Sequence, residues 1–556
     1  MSCLYNSTRK GKMTEKRLFS AILHYKDNLP YPREDFEETV KSVFNQKDVS
    51  VECIIVDHRG KGAKKDYLPE ALAKKVKAVP GDFKNRAEAI NAGLSVSKGQ
   101  IILIMDNIST PIIFAKCAFE IYGMVLERDA KVGLIYADYL RINPDGSAKD
   151  VQLLEYHEGR LRDMFDMGSV YCCKASAVKA VRGMSAKYNA ADLYDLRFKI
   201  SEKYKVKHVS NRYKGSLYTI KKQAAGHDVF AYLLASKDVQ LEMEDAVTQH
   251  LKRIGAYLAP GQNFHKVRYT PEEEKKFKDC IASVVIPVNN RPEFISDAIK
   301  SVQAQAVRNV EVIVVVNGGE TDPTIDAVKE YMEGGPKYNP QKPKVSLIVS
   351  DVNNIGYCLN KGIRTARGKY YVQLDSDDQL TRDAVEKLLE VFNSDPTIGM
   401  VIGSYEVWQK EADGTLKRRD DIPVVTHDEW TFENGRNNLL RINGAGAPRS
   451  AHIKIIAQEG WFGVNDSPYS RNYGEDYDLV HRISERWNIG RVWVPIYKVV
   501  RHSGSTDHSI DQETIDRNDN AKDNMRIEAV ERRKAINAVL KAKEKPKAQK
   551  TKKKKK

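Results

Sequence analysis

The feature that most limits what this chain can fold into is an internal repeat, offset by 269 residues in a sequence of 556. Residues 91–109 align with residues 360–378, and four identical pairs result: Asn91 with Asn360, Gly93 with Gly362, Gly99 with Gly368, and Asp106 with Asp375. Similarity continues on both sides through about 200 residues of each half. A match of this extent predicts a duplicated domain.

Each copy alternates apolar runs of strand length with amphipathic stretches. In the second copy this pattern predicts strands at 283–288, 311–316 and 369–375, separated by helices at 292–305 and 354–367. The order is typical of a mostly parallel sheet with helices on both faces. The sequence therefore predicts an α/β protein with two tandem Rossmann-like domains, whose ligands bind at the carboxyl ends of the strands.

The composition is typical of a globular protein, with 41% hydrophobic and 30% charged residues. No apolar run reaches the ~18–20 residues that a membrane-spanning helix needs. The N-terminal residues contain no apolar segment of the kind found in secretory signals. The seven cysteines form no C-x-x-C pair, which favours a reducing compartment and predicts a cytoplasmic location.

Positive charge is concentrated at the C-terminus. The formal net charge is +15, and residues 541–556 alone contain ten Lys against one Glu. We expect a helix over 521–543, followed by a disordered Lys-rich tail. The tail is suited to an anionic membrane surface, which would make the protein peripheral to a membrane, or to a nucleic acid. A purely solubilising end is the alternative interpretation.

Three aspartates follow the third predicted strand of the second copy. Asp375 and Asp377 are two residues apart and share a face in an extended segment, and Asp378 follows them. Clustered carboxylates repel one another unless a cation is present. Mg²⁺ and Mn²⁺ prefer oxygen ligands, often one or two carboxylates together with substrate phosphates. A metal site is therefore predicted, with a solvated acidic turn as the alternative.

Two further motifs favour the metal site over the turn. Glu475 and Asp476 open a predicted helix, where acidic residues also interact favourably with the helix dipole. His502 ends an apolar run and precedes a glycine. A single histidine is more often structural, but an Asp cluster in the same copy makes His502 a candidate metal ligand.

The ordered set of motifs resembles family 2 glycosyltransferases, which have the GT-A fold. It consists of a strand with P-x-x-N-R at 287–291, N-x-G at 360–362, D-S-D-D at 375–378, G-E-D-x-D-L at 474–479 and R-H-S-G-S at 501–505. The resemblance is strong over 281–505 and weak over 17–220. It implies that a sugar is transferred, with inversion, from a nucleoside diphosphate donor. UDP is the expected nucleotide because it is usual in the family.

The resemblance also implies residue roles. Asp375 would contact the nucleoside, and Asp377 and His502 would bind the Mn²⁺ or Mg²⁺ ion. Asp476 would be the general base that deprotonates the acceptor hydroxyl, and Glu475 is the competing assignment. The remaining residues implied for the donor pocket are Pro287, Val288, Asn289, Arg291, Asn317 and Asn354.

Two positions depart from the family pattern and leave the donor open. Asn317 stands where the second strand often ends in Asp, and Leu359 stands where an Arg is usual before N-x-G. The phosphate or base contact that the usual Arg would make is either absent from this chain or made by Lys361.

The first copy lacks the reactive residues. Ile108 and Ser109 align with Asp377 and Asp378 of the second copy. The acidic helix start and the histidine are also changed, to Leu193 and Tyr213. We therefore expect this copy to keep the fold without the reaction, and to hold an acceptor, support dimerisation or pack against the active half.

Some positions in the first copy keep polar groups. A metal-independent site using Asp106 and Asp192 is the alternative interpretation. His24, Tyr25 and Asp57 lie at predicted strand ends, where a ligand would bind.

The chain is accordingly divided into six parts. These are an extension (1–16), an inactive GT-A-like domain (17–225), a helical connector (226–280), a catalytic domain (281–510), a C-terminal helical segment (511–545) and the Lys-rich tail (546–556). The expected acceptor is a hydroxyl of a glycan or glycolipid. An enzyme acting on DNA or protein, and a non-catalytic carbohydrate-binding protein, are the alternatives. The sequence does not determine the oligomeric state.

Overall fold

The computed structural model describes residues 17–211, 215–221, 236–411, 413–444, 446–502 and 511–553. Two compact units result. Unit 1 consists of Met1–Glu158 and Asp163–His250, and unit 2 consists of Gly159–Arg162 and Leu251–Lys556. The six-part division of the sequence stays a prediction.

Unit 1 is an α/β unit. Its strands are β1 (Leu18–Tyr25), β2 (Ser50–Asp57), β3 (Lys77–Pro80), β4 (Ile101–Met105), β5 (Ile112–Phe114), β6 (Val132–Ala137), β7 (Tyr139–Ile142), β8 (Ala148–Val151), β9 (Val170–Lys174), β10 (Lys205–Val209) and β11 (Tyr218–Lys221). Its helices are α1 (Arg33–Phe44), α2 (Glu70–Ala73), α3 (Arg86–Val96), α4 (Ala118–Arg128), α5 (Ala175–Ala180), α6 (Asp192–Ser201) and α7 (Lys237–Ile254), whose last residues belong to unit 2.

Unit 2 is also an α/β unit. Its strands are β12 (Ala282–Val288), β13 (Val310–Val316), β14 (Lys344–Val349), β15 (Tyr370–Gln373), β16 (Gln379–Leu380), β17 (Ile398–Lys410), β18 (Leu416–Arg418), β19 (Arg449–His452) and β20 (Asn488–Arg501). Its helices are α8 (Pro271–Lys276), α9 (Pro292–Gln303), α10 (Thr324–Lys329), α11 (Ile355–Thr365), α12 (Ala384–Ser394), α13 (Gly435–Asn438), α14 (Ile453–Gln458), α15 (Glu475–Ser484) and α16 (Gln512–Lys553).

The two units share one strand order. The large sheet of unit 1 runs β3-β2-β1-β4-β9-β6-β10, and that of unit 2 runs β14-β13-β12-β15-β19-β17-β20 before β16. In both sheets the fifth strand is antiparallel to its neighbours, and the other pairs among these seven strands are parallel. A four-stranded sheet, β5-β11-β7-β8, is added in unit 1. The predicted α/β class with mostly parallel sheets is confirmed.

Central strands are apolar because both of their faces are covered. Strand β13 is buried at all seven of its positions, and β4 at all five. Parallel strands covered on both sides read as continuous Val, Ile and Leu runs, and this is the pattern that the sequence shows.

Most residues that the repeats share have architectural roles. A Cβ atom on Gly99 would lie 2.4 Å from Ser20 Oγ, and one on Gly368 would lie 2.7 Å from Ser283 Oγ. Each glycine N–H donates to that same serine oxygen. Only glycine permits so close an approach, so this pair is retained for packing.

The shared asparagines have a similar purpose. Asn91 exchanges two hydrogen bonds with the backbone of Met184 in unit 1, and Asn360 does the same with Phe462 in unit 2. Each asparagine therefore fastens a loop to the helix that carries it. Of the four shared pairs, the aspartates Asp106 and Asp375 remain as candidates for chemistry.

The C-terminal helix α16 is built into unit 2. Ala521, Met525, Ala529 and Val530 are all buried, at the spacing of one helix face. The helix continues to Lys553 and so includes most of the stretch for which we expected disorder. Lysine is a good helix former, which the disorder prediction underweighted. No helix among the described residues is long and apolar enough to cross a membrane.

Candidate active site

Three parallel strands of unit 2 end beside one another, and the predicted site residues follow them. Asn289 follows β12, Asn317 follows β13, and Asp375 begins the acidic segment after β15. Strand β12 pairs with both β13 and β15, so the three ends meet at one edge of the sheet. This is the edge at which open α/β sheets bind ligands.

The predicted metal ligands are brought together there. His502 Nε2 lies 3.1 Å from Asp377 Oδ2, although the two residues are 125 positions apart. Arg291 Nη1 donates a hydrogen bond to the same carboxylate oxygen. Asp377 is therefore held between a cationic group and an imidazole, and its side chain is partly exposed to solvent.

The other two aspartates are less accessible. Asp378 is 6% exposed, and its Oδ1 accepts a hydrogen bond from the Val500 N–H at 2.7 Å. Burial, followed by the negative charges of Asp375 and Asp377, raises the pKa of Asp378 well above its usual value. Burial also raises the pKa of Asp375, against the opposing charge of Arg449.

The acidic pair lies at the start of helix α15. Asp476 Oδ2 forms an ion pair with Arg449 Nη2 at 2.9 Å, and its Oδ1 accepts the Tyr477 N–H at 2.7 Å. Burial favours the neutral form of Asp476, but Arg449 and then Lys522 favour the anion, and the net pKa lies below the usual value. Asp476 is therefore an anion at neutral pH.

Glu475 differs from its neighbour. It is 8% exposed, and burial followed by the charge of Asp476 raises its pKa to about 7. Near neutral pH Asp476 is ionised, whereas Glu475 is divided between its protonated and ionised forms, and only the ionised form of either group can act as a base.

Arg449 links the two halves of the site and was not predicted from the sequence. It contacts Asp476, and its Nε donates to Gln373 Oε1 at 3.2 Å, on the strand that leads to Asp375. Its side chain is 14% exposed. A lone arginine at the start of a short strand gives no local signal, because arginines are common and its partners are distant in sequence.

Asn317 is the residue of the implied donor pocket whose contacts leave a group available to a ligand. The backbone N–H of Asn317 donates to Val288 O, and its Nδ2 donates weakly to Asn353 Oδ1 at 3.4 Å. Its Oδ1 is buried and has no hydrogen-bond partner among the described residues. A buried acceptor without a partner is suited to a donor group of a ligand. Pro287 and Asn289 lie beside it and are partly exposed.

Asn354, another residue of the implied pocket, has structural contacts. Asn354 caps helix α11 by accepting the Tyr357 N–H at 2.9 Å, and its Nδ2 donates to Val464 O at 3.0 Å. Its predicted role toward a donor stays a prediction. Leu359 is fully buried in the core, whereas Lys361 is exposed. Leu359 therefore makes no contact of the kind that the usual arginine would make.

The geometry allows a divalent cation with only part of its ligands from the protein. Asp377 and His502 are close enough to share an ion, but the described residues contain no group of three or more His, Cys, Asp or Glu that could hold one. Mg²⁺ is usually bound by one or two carboxylates plus substrate phosphates. The two protein ligands, Asp377 and His502, therefore fit a metal site whose remaining ligands would come from a diphosphate.

In unit 1 a single arginine pairs with both retained carboxylates. Arg86 Nη1 forms an ion pair with Asp106 Oδ1 at 2.9 Å, and its Nε donates to Asp192 Oδ2 at 2.9 Å. Asp192 is fully buried, and Leu193 is 7% exposed. Both carboxylates of the alternative metal-independent site are therefore paired within the protein.

The strand ends of unit 1 are also closed by internal contacts. Asn107 exchanges hydrogen bonds with the backbone of His24 and contacts Tyr31 Oη. Asp57 is fully buried and pairs with Arg59, which lies 5.0 Å from the ring centroid of Tyr25. Asp57, Tyr25 and the backbone of His24 thus have partners in unit 1, whereas the buried Nε2 of His24 has no hydrogen-bond partner among the described residues. Ile108 and Ser109 follow them, and Tyr213 lies outside the described residues.

Comparison with known proteins agrees with the geometry of unit 2. The family model "Glycosyl transferase family 2" matches residues 283–453. This segment begins in β12, contains the acidic residues after β15, and ends just past β19, which carries Arg449. Residues 283–453 belong to glycosyl transferase family 2. The family 2 segment therefore holds the acidic cluster, whereas Asp476 and His502 follow it in the chain.

Several curated proteins are similar to part of this chain. Chondroitin synthase of Escherichia coli is 24% identical over 247 residues, which are 43% of this chain and 33% of the relative. Chondroitin synthase of Pasteurella multocida is 32% identical over 226 residues, which are 41% of this chain and 21% of the relative. The chain thus matches a third or less of the length of these relatives.

A solved structure is also similar. The crystal structure of Staphylococcus aureus TarS 1–349 in complex with UDP-GlcNAc is 15% identical, with a TM-score of 0.32. The match covers 42% of this chain and 61% of that chain.

Proposed function

We propose that unit 2 is a metal-dependent inverting glycosyltransferase. It transfers a sugar from a nucleotide-sugar donor, with a UDP-sugar as the expected class, to a hydroxyl of a glycan or glycolipid. The observation that carries the proposal is the approach of His502 to within 3.1 Å of Asp377 at the carboxyl edge of a family 2 sheet. The similarity to polysaccharide synthases supports a glycan acceptor.

The side chains divide the reaction between them. Asp377 and His502 would hold a divalent cation, whose chemistry is to offset the negative charge of the diphosphate as it leaves. Arg291 adds a positive charge at the same place. Asp375 and Asn317 would bind the nucleoside, since both lie at the ends of adjacent strands.

Asp476 takes the proton of the acceptor hydroxyl. It is an anion at neutral pH, it is oriented by Arg449 and by the Tyr477 N–H, and about a quarter of its side chain is exposed. The hydroxyl oxygen forms the new bond to the anomeric carbon while the bond from that carbon to the diphosphate breaks. A single displacement inverts the anomeric centre and requires no covalent intermediate with the protein.

The test is release of nucleoside diphosphate from a panel of UDP- and GDP-sugars, measured with Mn²⁺ and with EDTA. Each donor is combined with glycan fragments, with DNA and with an unfolded protein as acceptors. The proposal expects turnover that needs a divalent cation and rises with one glycan. Stimulation by DNA or protein instead would contradict the acceptor class, and binding of glycans without turnover of any donor would favour a carbohydrate-binding protein.

A further inference from the structure

The C-terminal helix α16 brings a buried cation to the acidic pair. Lys522 is 7% exposed, and its Nζ donates a hydrogen bond to the Asn443 backbone oxygen. The same Nζ lies 4.3 Å from the ring centroid of Tyr473 and 5.3 Å from that of Tyr477. These two tyrosines flank Asp476 in sequence, three residues before it and one after it.

Within the described residues, the charge of Lys522 has no direct counterion. Among the residues that the structure describes, no carboxylate oxygen lies within 4.0 Å of its Nζ. Burying an ammonium group without an ion pair is unfavourable, so a reason for its retention is required. Its charge favours the anionic forms of Asp476 and Glu475.

Helix α16 is fixed against the turn that precedes the acidic pair. Gly474 has a φ of 92°, and a Cβ atom there would lie 2.4 Å from the Met525 terminal methyl group. Ser470 Oγ donates to Asn518 Oδ1 at 2.7 Å. The helix therefore packs directly against residues 470–474 and sets the position of the turn.

Buried ion pairs fix the register of the helix at this point. Asp523, which is fully buried, pairs with Arg160, Arg162 and Arg526. Arg526 also donates to the Asn443 side chain at 2.7 Å, next to the carbonyl group that Lys522 contacts. Breaking such a buried network would be costly, so the network holds Lys522 in one place.

We propose that Lys522 is a positioning residue of the transfer reaction, which acts from the C-terminal helix by placing a buried positive charge against Tyr473 and Tyr477, the tyrosines on either side of the acidic pair in sequence. The inference rests on the proposed function of unit 2 and adds α16 to its catalytic unit. The other groups that face Asp476 are Arg449 on β19, Glu475 on its own helix, and Asp375 and Tyr371 from β15 and its end.

The experiment compares Lys522→Met and Lys522→Arg with the wild-type full chain. Lys534→Met is the matched control, since Lys534 lies on the same helix and pairs only with Glu531 among the described residues. Initial rates of sugar transfer are measured from pH 3.5 to 8.5, with KM for the donor, and thermal unfolding at each pH reports on the fold.

We expect Lys522→Met to move the acid limb of the kcat profile to higher pH by about half a unit or more, which lowers kcat about threefold at pH values below the pKa of the base and leaves kcat at pH 7 unchanged. The donor KM should change by less than about twofold, because Lys522 lies on the side of the base. Lys522→Arg should keep the wild-type profile, and Lys534→Met should leave every parameter unchanged.

A profile of Lys522→Met that superimposes on the wild type would overturn the inference, even if the variant were less stable. Loss of activity in Lys522→Arg equal to that in Lys522→Met would also overturn it, since the charge would then be irrelevant. Wild-type protein that transfers no sugar would overturn the proposed function itself, and this inference with it.

Discussion

The assignment of the base predicts the pH dependence of the reaction. Asp476 and Glu475 are adjacent, but Arg449 and Lys522 lower the pKa of Asp476, whereas burial raises that of Glu475 to about 7. If Asp476 is the base, kcat/KM should be nearly constant between pH 6 and pH 8. If Glu475 were the base, only about a tenth of it would be ionised at pH 6, and kcat/KM would fall about tenfold.

Two isosteric variants separate the carboxylates further. Asp476→Asn keeps the shape and the hydrogen bond from Tyr477 but cannot accept a proton, so kcat should fall by about 10²–10⁴, or roughly 3–5 kcal/mol in the activation free energy. Glu475→Gln imitates the protonated acid and should stay within about threefold of the wild type.

The assay is the initial rate of transfer from pH 5.5 to 8.5 at saturating donor and metal, with the acceptor concentration varied so that both kcat and kcat/KM for the acceptor are obtained. Circular dichroism serves as the control for folding of both variants. A tenfold fall in the wild-type kcat/KM from pH 8 to pH 6, together with an inactive Glu475→Gln variant and an active Asp476→Asn variant, would refute the assignment.

Three further predictions follow from single contacts. His502→Ala should raise the Mn²⁺ concentration for half-maximal rate by about tenfold or more, measured by metal titration, because one of two protein ligands is lost. Arg86→Met should destabilise unit 1 by about 2–3 kcal/mol in urea unfolding, since buried Asp192 loses its cation, and should leave the transfer rate unchanged; a changed rate would contradict the silent role of that unit. Gly474→Ala should lower the thermal midpoint and kcat through a strain of about 1–2 kcal/mol, measured by thermal unfolding and initial rates, and an unchanged thermal midpoint would contradict the close approach of Met525 to this turn.

The parts of the fold that follow from local pattern could be predicted from the sequence. Buried parallel strands produce uninterrupted apolar runs, so the strand ends and the polar residues after them were visible. Asp377 and His502 could be paired because each follows such a run, and their contact at 3.1 Å agrees with that interpretation.

Residues whose partners are distant in sequence could not be predicted. Arg449 and Lys522 both interact with Asp476, but one comes from a strand and the other from the C-terminal helix, with no spacing that relates them. The shared Asn-x-Gly motif is the reverse case, a sequence signal whose asparagine has a structural role. It resembles a functional signature, yet Asn91 and Asn360 hold loops to helices in both units. Similarity between repeats therefore marked packing more often than chemistry.

The central claim is that sugar transfer occurs at the carboxyl edge of the unit 2 sheet, and that the corresponding edge of unit 1 is silent. The most direct measurement compares initial rates of transfer for the wild type, Asp377→Asn and Asp106→Asn with the same donor, acceptor and Mn²⁺ concentration. We predict that Asp377→Asn loses about 100-fold or more in kcat, whereas Asp106→Asn stays within about twofold of the wild type. Full activity of Asp377→Asn with loss in Asp106→Asn would contradict the account and place the reaction in unit 1.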